Sequence, residues 1–116
     1  MNRRDETILS KMLSYCAETE ATHRFFQDDK ALFLNEETGA IYRNAVAMPI
    51  LQIGELAKNL SEDFRSVHSG IPWRDIIRMR DLFAHHYGAV DYEQLWDTSH
   101  EDMDALREWL TQAKQG

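Results

Sequence analysis

The chain has 116 residues, a formal net charge of −7 and one cysteine, so it is short enough for a single domain (residues 1–116), and an intramolecular disulfide is excluded. The acidic balance has the wrong sign for a general nucleic-acid binder, but the segment 65–88 carries four arginines against two aspartates, whereas 89–109 carries seven acids against one arginine. Apolar runs are too short to cross a bilayer and the N-terminus lacks the apolar stretch of a signal peptide, so we expect a cytoplasmic protein without membrane contact.

The first predicted helix runs from about Thr7 to Phe26, because apolar residues recur there at helical spacing. Cys16 lies on the apolar stripe of this helix, which favours a buried thiol over a nucleophile. The acidic pair at positions 28 and 29 ends the pattern, and a short apolar piece from Ala31 to Leu34 follows.

A long second helix is predicted after Asn35, which we interpret as its N-cap because two glutamates follow in the first turn. Its apolar stripe continues as far as Phe64. Pro49 lies within the stripe, where a proline removes one helical hydrogen bond and clashes with the preceding turn. We therefore expect a bend near residues 45–49 within one helix.

The third long helix is predicted from Ile71-Pro72-Trp73 to Gly88, with proline at its start and glycine at its end. Arg80 falls on the otherwise apolar stripe that begins at Trp73. A charge on such a stripe is costly unless it is paired. Arg80 is therefore expected at the wall of a cleft, at a subunit interface, or against a buried carboxylate such as Glu55.

Three groups suited to phosphate chemistry lie on this helix: the fixed cation of Arg80, the imidazole of His85 and the phenol of Tyr87. However, five residues of α-helix turn through roughly 140°, so one regular helix cannot aim Arg80 and His85 at a common atom. Either the last turn unwinds near Gly88, or a second copy of the helix supplies the missing group in a symmetric dimer.

A last helix is predicted to start at Asp91, because Gln94 stands three residues later in a pattern like a capping box. With no convincing β-alternation, the fold class is all-α, an antiparallel bundle of four to five helices. Apolar surface left over beyond one core favours a homodimer. The predicted core consists of Ile8, Met12, Val46, Ile53, Leu56, Leu60, Phe83, Leu95, Met103 and Leu106.

The histidines do not have the spacing of a metal site. His85 and His86 are adjacent and point to different faces of a helix, and no His-x-x-x-His or His-Glu-x-x-His pattern occurs. We therefore expect no metal and no other cofactor, and we interpret His23, His68 and His100 as structural. Tyr87 has a structural interpretation too, since an aromatic on an apolar stripe usually packs.

The spacing Arg80, four residues, His85, one residue, Tyr87 resembles the motif of the HepT toxins, small helical ribonucleases of the HEPN superfamily. This chain differs from the motif at Asp81, where many members of the family carry asparagine. An acidic neighbour can hold or partly neutralise Arg80. The resemblance extends in the family's order through Ile53-Gly54-Glu55, Ile71-Pro72-Trp73, Val90-Asp91-Tyr92 and Leu95-Trp96.

This resemblance implies a homodimeric, HEPN-like bundle with a composite cleft that cuts RNA without a metal. Arg80 would stabilise charge on the reacting phosphate, and His85 would act as general base or acid. Apart from the resemblance, we expect Glu55 to be a supporting carboxylate that orients Arg80 or His85, and Asp81 to hold Arg80. The implied partner is a minimal nucleotidyltransferase antitoxin, which would silence the toxin by adenylylating Tyr87.

An alternative belongs to a different class of protein, a non-catalytic helical dimer that acts as a binding adaptor for the nucleotidyltransferase. Asp81 and the acidic net charge favour it, and Arg80 and His85 would then be kept for packing. A third interpretation, an inert bundle, leaves the charge of Arg80 on an apolar stripe unexplained.

Overall fold

The structure, a computed structural model that describes residues 1–115, is helical throughout and has no strand in that range. The predicted all-α class is therefore confirmed. No helix within these residues combines the length and the hydropathy needed to cross a membrane. The elements are α1 (Arg3–Phe25), α2 (Lys30–Leu34), α3 (Ala40–Lys58), α4 (Glu62–Val67), α5 (Trp73–His85), a 3-10 turn (Tyr87–Ala89), α6 (Tyr92–Asp97), a π-helical segment (Thr98–Asp102) and α7 (Met103–Gln115).

The core forms around α3, which packs against α1 on one side and α5 on the other, while α7 packs against α1. All the predicted core residues are buried except Leu56, which is partly exposed. Cys16 is buried as predicted, and this burial raises the pKa of its thiol to about 12. The thiol is therefore protonated and unreactive at neutral pH.

The predicted long helix differs from the structure at both ends. Asn35 does not cap α3: its side chain accepts hydrogen bonds from the backbone N–H groups of Glu37 and Thr38, which forms a turn before α3 begins at Ala40. At the other end α3 stops at Lys58, and Ser61 caps the separate helix α4 through Phe64 N–H. The apolar period nevertheless continues to Phe64, because both helices contribute side chains to one core.

Two buried polar contacts fix how these segments meet. The carboxylate of Asp5, in the first turn of α1, accepts from the backbone N–H of Ser61 at 2.9 Å and from its hydroxyl at 2.6 Å. Arg43 on α3 donates from Nη1 to the carbonyls of Phe33 and Asn35, at 2.7 Å each. Arg43 is buried, and its charge is stabilised by these carbonyl dipoles and by the ring of Tyr92, over which the guanidinium lies.

α3 runs through Pro49 without ending, as predicted, and the bend near this residue stays a prediction. Asp91 caps α6 as predicted, accepting from the N–H groups of Glu93 and Gln94. The last helix then departs from the expected regular pattern, because its α-helical turns are interrupted by the π-helical segment Thr98–Asp102. That segment brings Ser99 against the end of α1, where its hydroxyl lies 2.9 Å from His23 Nε2.

Candidate functional site

The motif helix α5 begins where the sequence predicts, with Pro72 directly before Trp73, but it ends earlier than predicted. Its last residue is His85 rather than Gly88, and the chain leaves as the 3-10 turn Tyr87–Ala89 after His86 N–H bonds the carbonyl of Leu82. Of the two alternatives that helical geometry left open, the last turn does unwind. Tyr87 is therefore placed by the turn and not by the helix.

Arg80 stands on α5 where that helix meets α3, and two carboxylates contact it. Its Nε lies 2.7 Å from Glu55 Oε2, and its Nη1 donates to Asp81 Oδ1 at 3.0 Å. The side chain is 21% exposed, so it borders solvent rather than the core. The hydrogen bond to Asp81, followed by the nearby Glu55 charge, raises the pKa of Arg80, which keeps the guanidinium charged.

The contact between Arg80 and Glu55 is close but poorly aligned. Neither Arg80 Nε nor Glu55 Oε2 has a hydrogen-bond partner with good geometry among the described residues, although both atoms are shielded from solvent. A carboxylate that matched the guanidinium fork would make two parallel bonds. Here the fork contacts two separate carboxylates, Glu55 and Asp81, whose side chains are 43% and 51% exposed.

Gly54 permits this arrangement. It is buried on α3 directly opposite Arg80, and a Cβ at this position would meet the Cβ of Arg80 at 2.2 Å and the backbone oxygen of Ile76 at 3.0 Å. The missing side chain thus lets α5 approach α3 closely. The Gly54-Glu55 pair in the sequence sets both the closeness of the helices and the carboxylate that faces Arg80.

His85 is exposed at the end of α5 and is not brought to Arg80 within this chain. Five residues separate them, which corresponds to about 7.5 Å along the axis and roughly 140° around it. Instead His85 shares the outer side of the helix with Arg74 and Arg78, which are exposed as well. One chain therefore offers a cationic outer ridge with an accessible imidazole, and His86 beside it is exposed without joining Arg80.

Tyr87 reaches back from the 3-10 turn to α3, where its hydroxyl donates to Asn44 Oδ1 at 2.8 Å. The ring is half-buried near Phe83, and this burial raises the pKa of the phenol above its ordinary value. Sequence reasoning missed Asn44. The available clue was its position, since a polar residue stands there between exposed apolar residues of the same helical stripe.

A continuous face of α3 connects these contacts. Ile41, Asn44, Met48, Leu51 and Glu55 recur at helical spacing and are at least partly exposed, with Ile41 at 77% and Met48 at 56%. We call these five residues the outer face of α3. It begins beside Tyr87, through Asn44, and ends beside Arg80, through Glu55. An exposed apolar stripe of this kind is typical of a surface that binds another protein chain.

Relatives of this chain carry ribonuclease names. A Thermococcus cleftensis protein named "Probable ribonuclease HepT" is 44% identical over 63 residues, which cover 54% of this chain and 57% of the relative. A protein of Caldanaerobacter subterraneus, named as a suspected RNase, is 38% identical over 63 residues, 54% of this chain and 56% of the relative. The matches thus span little more than half the length of these curated relatives.

A longer match joins nearly the whole chain to a Methanocaldococcus jannaschii protein that is also named as a suspected RNase. The two are 29% identical over 109 residues, covering 92% of this chain and 89% of the relative. No solved structure was found to match the chain. The family model described as "Ribonuclease HepT-like" matches residues 12–113, a range that includes α3, α5 and every motif residue discussed above. This chain therefore belongs to the ribonuclease HepT-like family.

Proposed function

We propose that the protein is an endoribonuclease toxin that needs no metal ion for cleavage, with a composite active site in the cleft of a homodimer. In this proposal Arg80 and His85 are the catalytic residues. The observation that carries it is that the motif helix of a ribonuclease family member holds a fixed cation, Arg80, at the border of solvent and an exposed imidazole, His85. The acidic remainder of the chain confines RNA contact to this helix.

The proposed reaction is attack of a ribose 2′-hydroxyl on the adjacent phosphorus. The O2′–P bond forms and the P–O5′ bond breaks, which leaves a 2′,3′-cyclic phosphate and a free 5′-hydroxyl. One group takes the proton from the 2′-hydroxyl, and another gives a proton to the departing oxygen. Arg80 stabilises the negative charge that grows on the phosphate oxygens, since its own charge cannot be lost.

The need for both a base and an acid favours two chains. One chain offers a single well-placed imidazole, His85, because His86 points to a different side as the helix ends. A twofold pairing supplies a second copy of His85. It also brings Arg80 of one chain toward His85 of the other, which a single chain cannot do. The outer face of α3 is the surface we assign to this pairing, because it carries exposed Ile41 and Met48 between the Tyr87 and Arg80 contacts.

We further propose that a nucleotidyltransferase antitoxin neutralises the protein by adenylylating Tyr87. The phenol borders the same face of α3 as Arg80, so an added adenylyl group would bring bulk and a phosphate charge into the cleft. Transfer to the phenol oxygen would form a phosphodiester bond to the tyrosine and release pyrophosphate from ATP. The bond between Tyr87 and Asn44 would open first, because that hydroxyl proton is the one that leaves.

The test is RNA cleavage by purified protein in excess chelator. We expect wild-type protein to cut, and Arg80→Ala and His85→Ala each to lower the rate by about 10²-fold or more. Arg4→Ala is the matched control, because this side chain is exposed and belongs to α1 rather than to the motif helix. Cleavage that the chelator abolishes, or full activity in both motif variants with retained helicity, would contradict the proposal.

A second candidate function is a non-catalytic adaptor that binds the nucleotidyltransferase. The two carboxylates on Arg80 favour it, since they already satisfy most of the charge that a phosphate would seek. Expression of the chain without its partner separates the two: a toxin arrests growth and Arg80→Ala relieves the arrest, whereas an adaptor is harmless in both forms.

A further inference from the structure

A cluster of two histidines and an aspartate lies away from the motif helix. His23 comes from the end of α1, Asp28 from the turn that follows it, and His100 from the π-helical segment. One ligand atom from each lies within 4.8 Å of the other two. The cluster borders an open cavity that is also lined by Thr19, Glu20 and Arg107. Since 77 residues separate the two histidines, only the fold brings them together.

The hydrogen bonds around His23 fix its state. Ser99 Oγ donates to the carbonyl of Trp96 at 2.9 Å, so it accepts from His23 Nε2 at 2.9 Å. The hydroxyl of Tyr42 then donates to His23 Nδ1 at 2.6 Å. His23 is therefore a neutral imidazole whose lone pair is on Nδ1, 3.7 Å from Asp28 Oδ1. A metal binds a neutral imidazole through such a lone pair, so an ion on Nδ1 would take the place of the Tyr42 hydroxyl.

His100 is held in the way that metal-binding histidines are held. Its Nδ1 lies 2.9 Å from the carbonyl oxygen of Trp96, which can only accept, so Nδ1 carries a hydrogen and donates. The other nitrogen, Nε2, lies 2.6 Å from Asp28 Oδ1. In neutral His100 these two atoms would both be acceptors, and they would repel. A metal ion bound by both atoms would remove this repulsion.

We propose that His23 Nδ1, Asp28 Oδ1 and His100 Nε2 bind a late first-row divalent cation, with Zn²⁺ as the representative ion. Two imidazoles and a carboxylate are a donor set that Zn²⁺ prefers, and a backbone carbonyl behind one imidazole is the usual outer support. Around tetrahedral Zn²⁺ the ligand atoms stand about 3.3 Å apart. The observed 2.6 and 3.7 Å distances bracket this value, and Asp28, which is 62% exposed, can turn to equalise them.

The ion would add a link between three segments that already meet through the hydrogen bonds of His23 with Ser99 and of His100 with Asp28. It would replace the bond from Tyr42 to His23 and fix the end of α1 to the last helix through His100. The fourth position faces the open cavity, where water can complete the shell. None of Arg80, His85 or Tyr87 belongs to this cluster, so we assign the ion a structural role that is separate from the proposed RNA cleavage.

The experiment is titration of untagged, chelator-treated protein with Zn²⁺, followed by calorimetry, and with Co²⁺, followed by its visible absorption. We expect one ion per chain, a tetrahedral Co²⁺ spectrum and an unfolding midpoint that rises with Zn²⁺. Asp28→Asn and His100→Gln should each weaken binding at least tenfold. Asp28→Asn alters an exposed side chain, so it keeps the test valid if His100→Gln proves unstable.

Two control variants separate this site from adventitious binding. His86→Gln removes an exposed histidine beside His85, and Glu20→Gln removes a carboxylate from the same cavity; both should bind Zn²⁺ as the wild type does. The proposal is overturned if no stoichiometric binding occurs. It is also overturned if Asp28→Asn and His100→Gln bind undiminished while His86→Gln does not. Neither result bears on RNA cleavage in chelator, which tests the proposed function independently.

Discussion

Arg80 and Gly54 approach so closely across α5 and α3 that the Cβ of the arginine occupies the space a side chain on Gly54 would need. The stem of Arg80 thereby lies flat against α3. Its guanidinium is delivered to Glu55, the next residue along that helix. The position of the proposed catalytic cation thus depends on the absence of a side chain on another helix.

Gly54→Ala is therefore expected to destabilise the protein by at least about 2 kcal/mol, because the added methyl group meets a backbone oxygen of Ile76 as well as Arg80. The helices must separate, which also displaces Arg80. Gly70→Ala is the matched control, since nothing lies within 4 Å of its added Cβ, and it should change stability by no more than about 0.5 kcal/mol. Chemical denaturation measures both. Equal stability of the two variants would refute the close approach.

Met48→Glu is expected to convert a dimer to a monomer and to abolish RNA cleavage. The substitution puts a charge at the middle of the outer face of α3, where burial against a second chain would leave it unpaired. Val67→Glu, at a residue that is 76% exposed on α4, should leave the dimer intact. Light scattering after size-exclusion chromatography gives the mass of each. A wild-type monomer, or a Met48→Glu dimer, would count against our assignment of this face.

Tyr87→Phe is expected to abolish adenylylation by a nucleotidyltransferase partner, because it removes the only atom to which the group would be joined. Intact mass after co-expression reads out the added adenylyl groups. Tyr92→Phe serves as the control, since Tyr92 lies in the same region but turns its ring toward Arg43. Full modification of the Tyr87→Phe variant would show that another residue is adenylylated. Wild-type protein that stays unmodified would contradict silencing by adenylylation.

Asp5→Ala is expected to cost about 2–3 kcal/mol of unfolding free energy, because it leaves the backbone N–H and the hydroxyl of Ser61 without the carboxylate that now accepts from both. Glu6→Ala removes a neighbouring carboxylate from the same first turn, but that residue is exposed, so the change should stay within about 0.5 kcal/mol. Thermal unfolding in matched buffer distinguishes the two. Similar midpoints would show that the Asp5 contact contributes little.

Cys16 is expected to resist iodoacetamide at pH 8 while the protein is folded and to react completely in denaturant. Burial holds the pKa of the thiol near 12, so only about one molecule in 10⁴ would carry the reactive thiolate. Mass spectrometry is unambiguous here, because the chain has a single cysteine. Rapid alkylation of the folded protein would mean that α1 exposes this position far more than the structure indicates.

Local rules were enough to predict the features that depend on neighbours in sequence. Pro72 before Trp73 marks the start of α5, Asp91 caps α6, and every residue of the predicted core except Leu56 is buried. The predicted end of the second long helix was wrong for a physical reason. Period alone cannot distinguish one helix from two helices that pack on the same core, and Ser61 caps α4 at a point that the apolar pattern crosses.

The remaining features depend on contacts between distant segments. Arg43 is a buried cation because the carbonyls of Phe33 and Asn35 converge on it, and a charged residue in a helix otherwise predicts exposure. His23 and His100 looked isolated because metal-like spacing within one helix was the only pattern available to judge them. Asn44 likewise gains its partner, Tyr87, only when α5 unwinds.

The π-helical segment Thr98–Asp102 has a consequence for how the length of the last helix can vary. A π-helical turn takes up one residue more than the α-helical turn it replaces, while the helix on either side keeps its phase. Deleting one residue between 98 and 102 would therefore leave Leu95 and Leu106 directed at the core, and the helix would simply become regular. What the deletion would remove is the local displacement that presents Ser99 and His100 to α1. The fold can do without that residue, whereas the cluster at the end of α1 cannot.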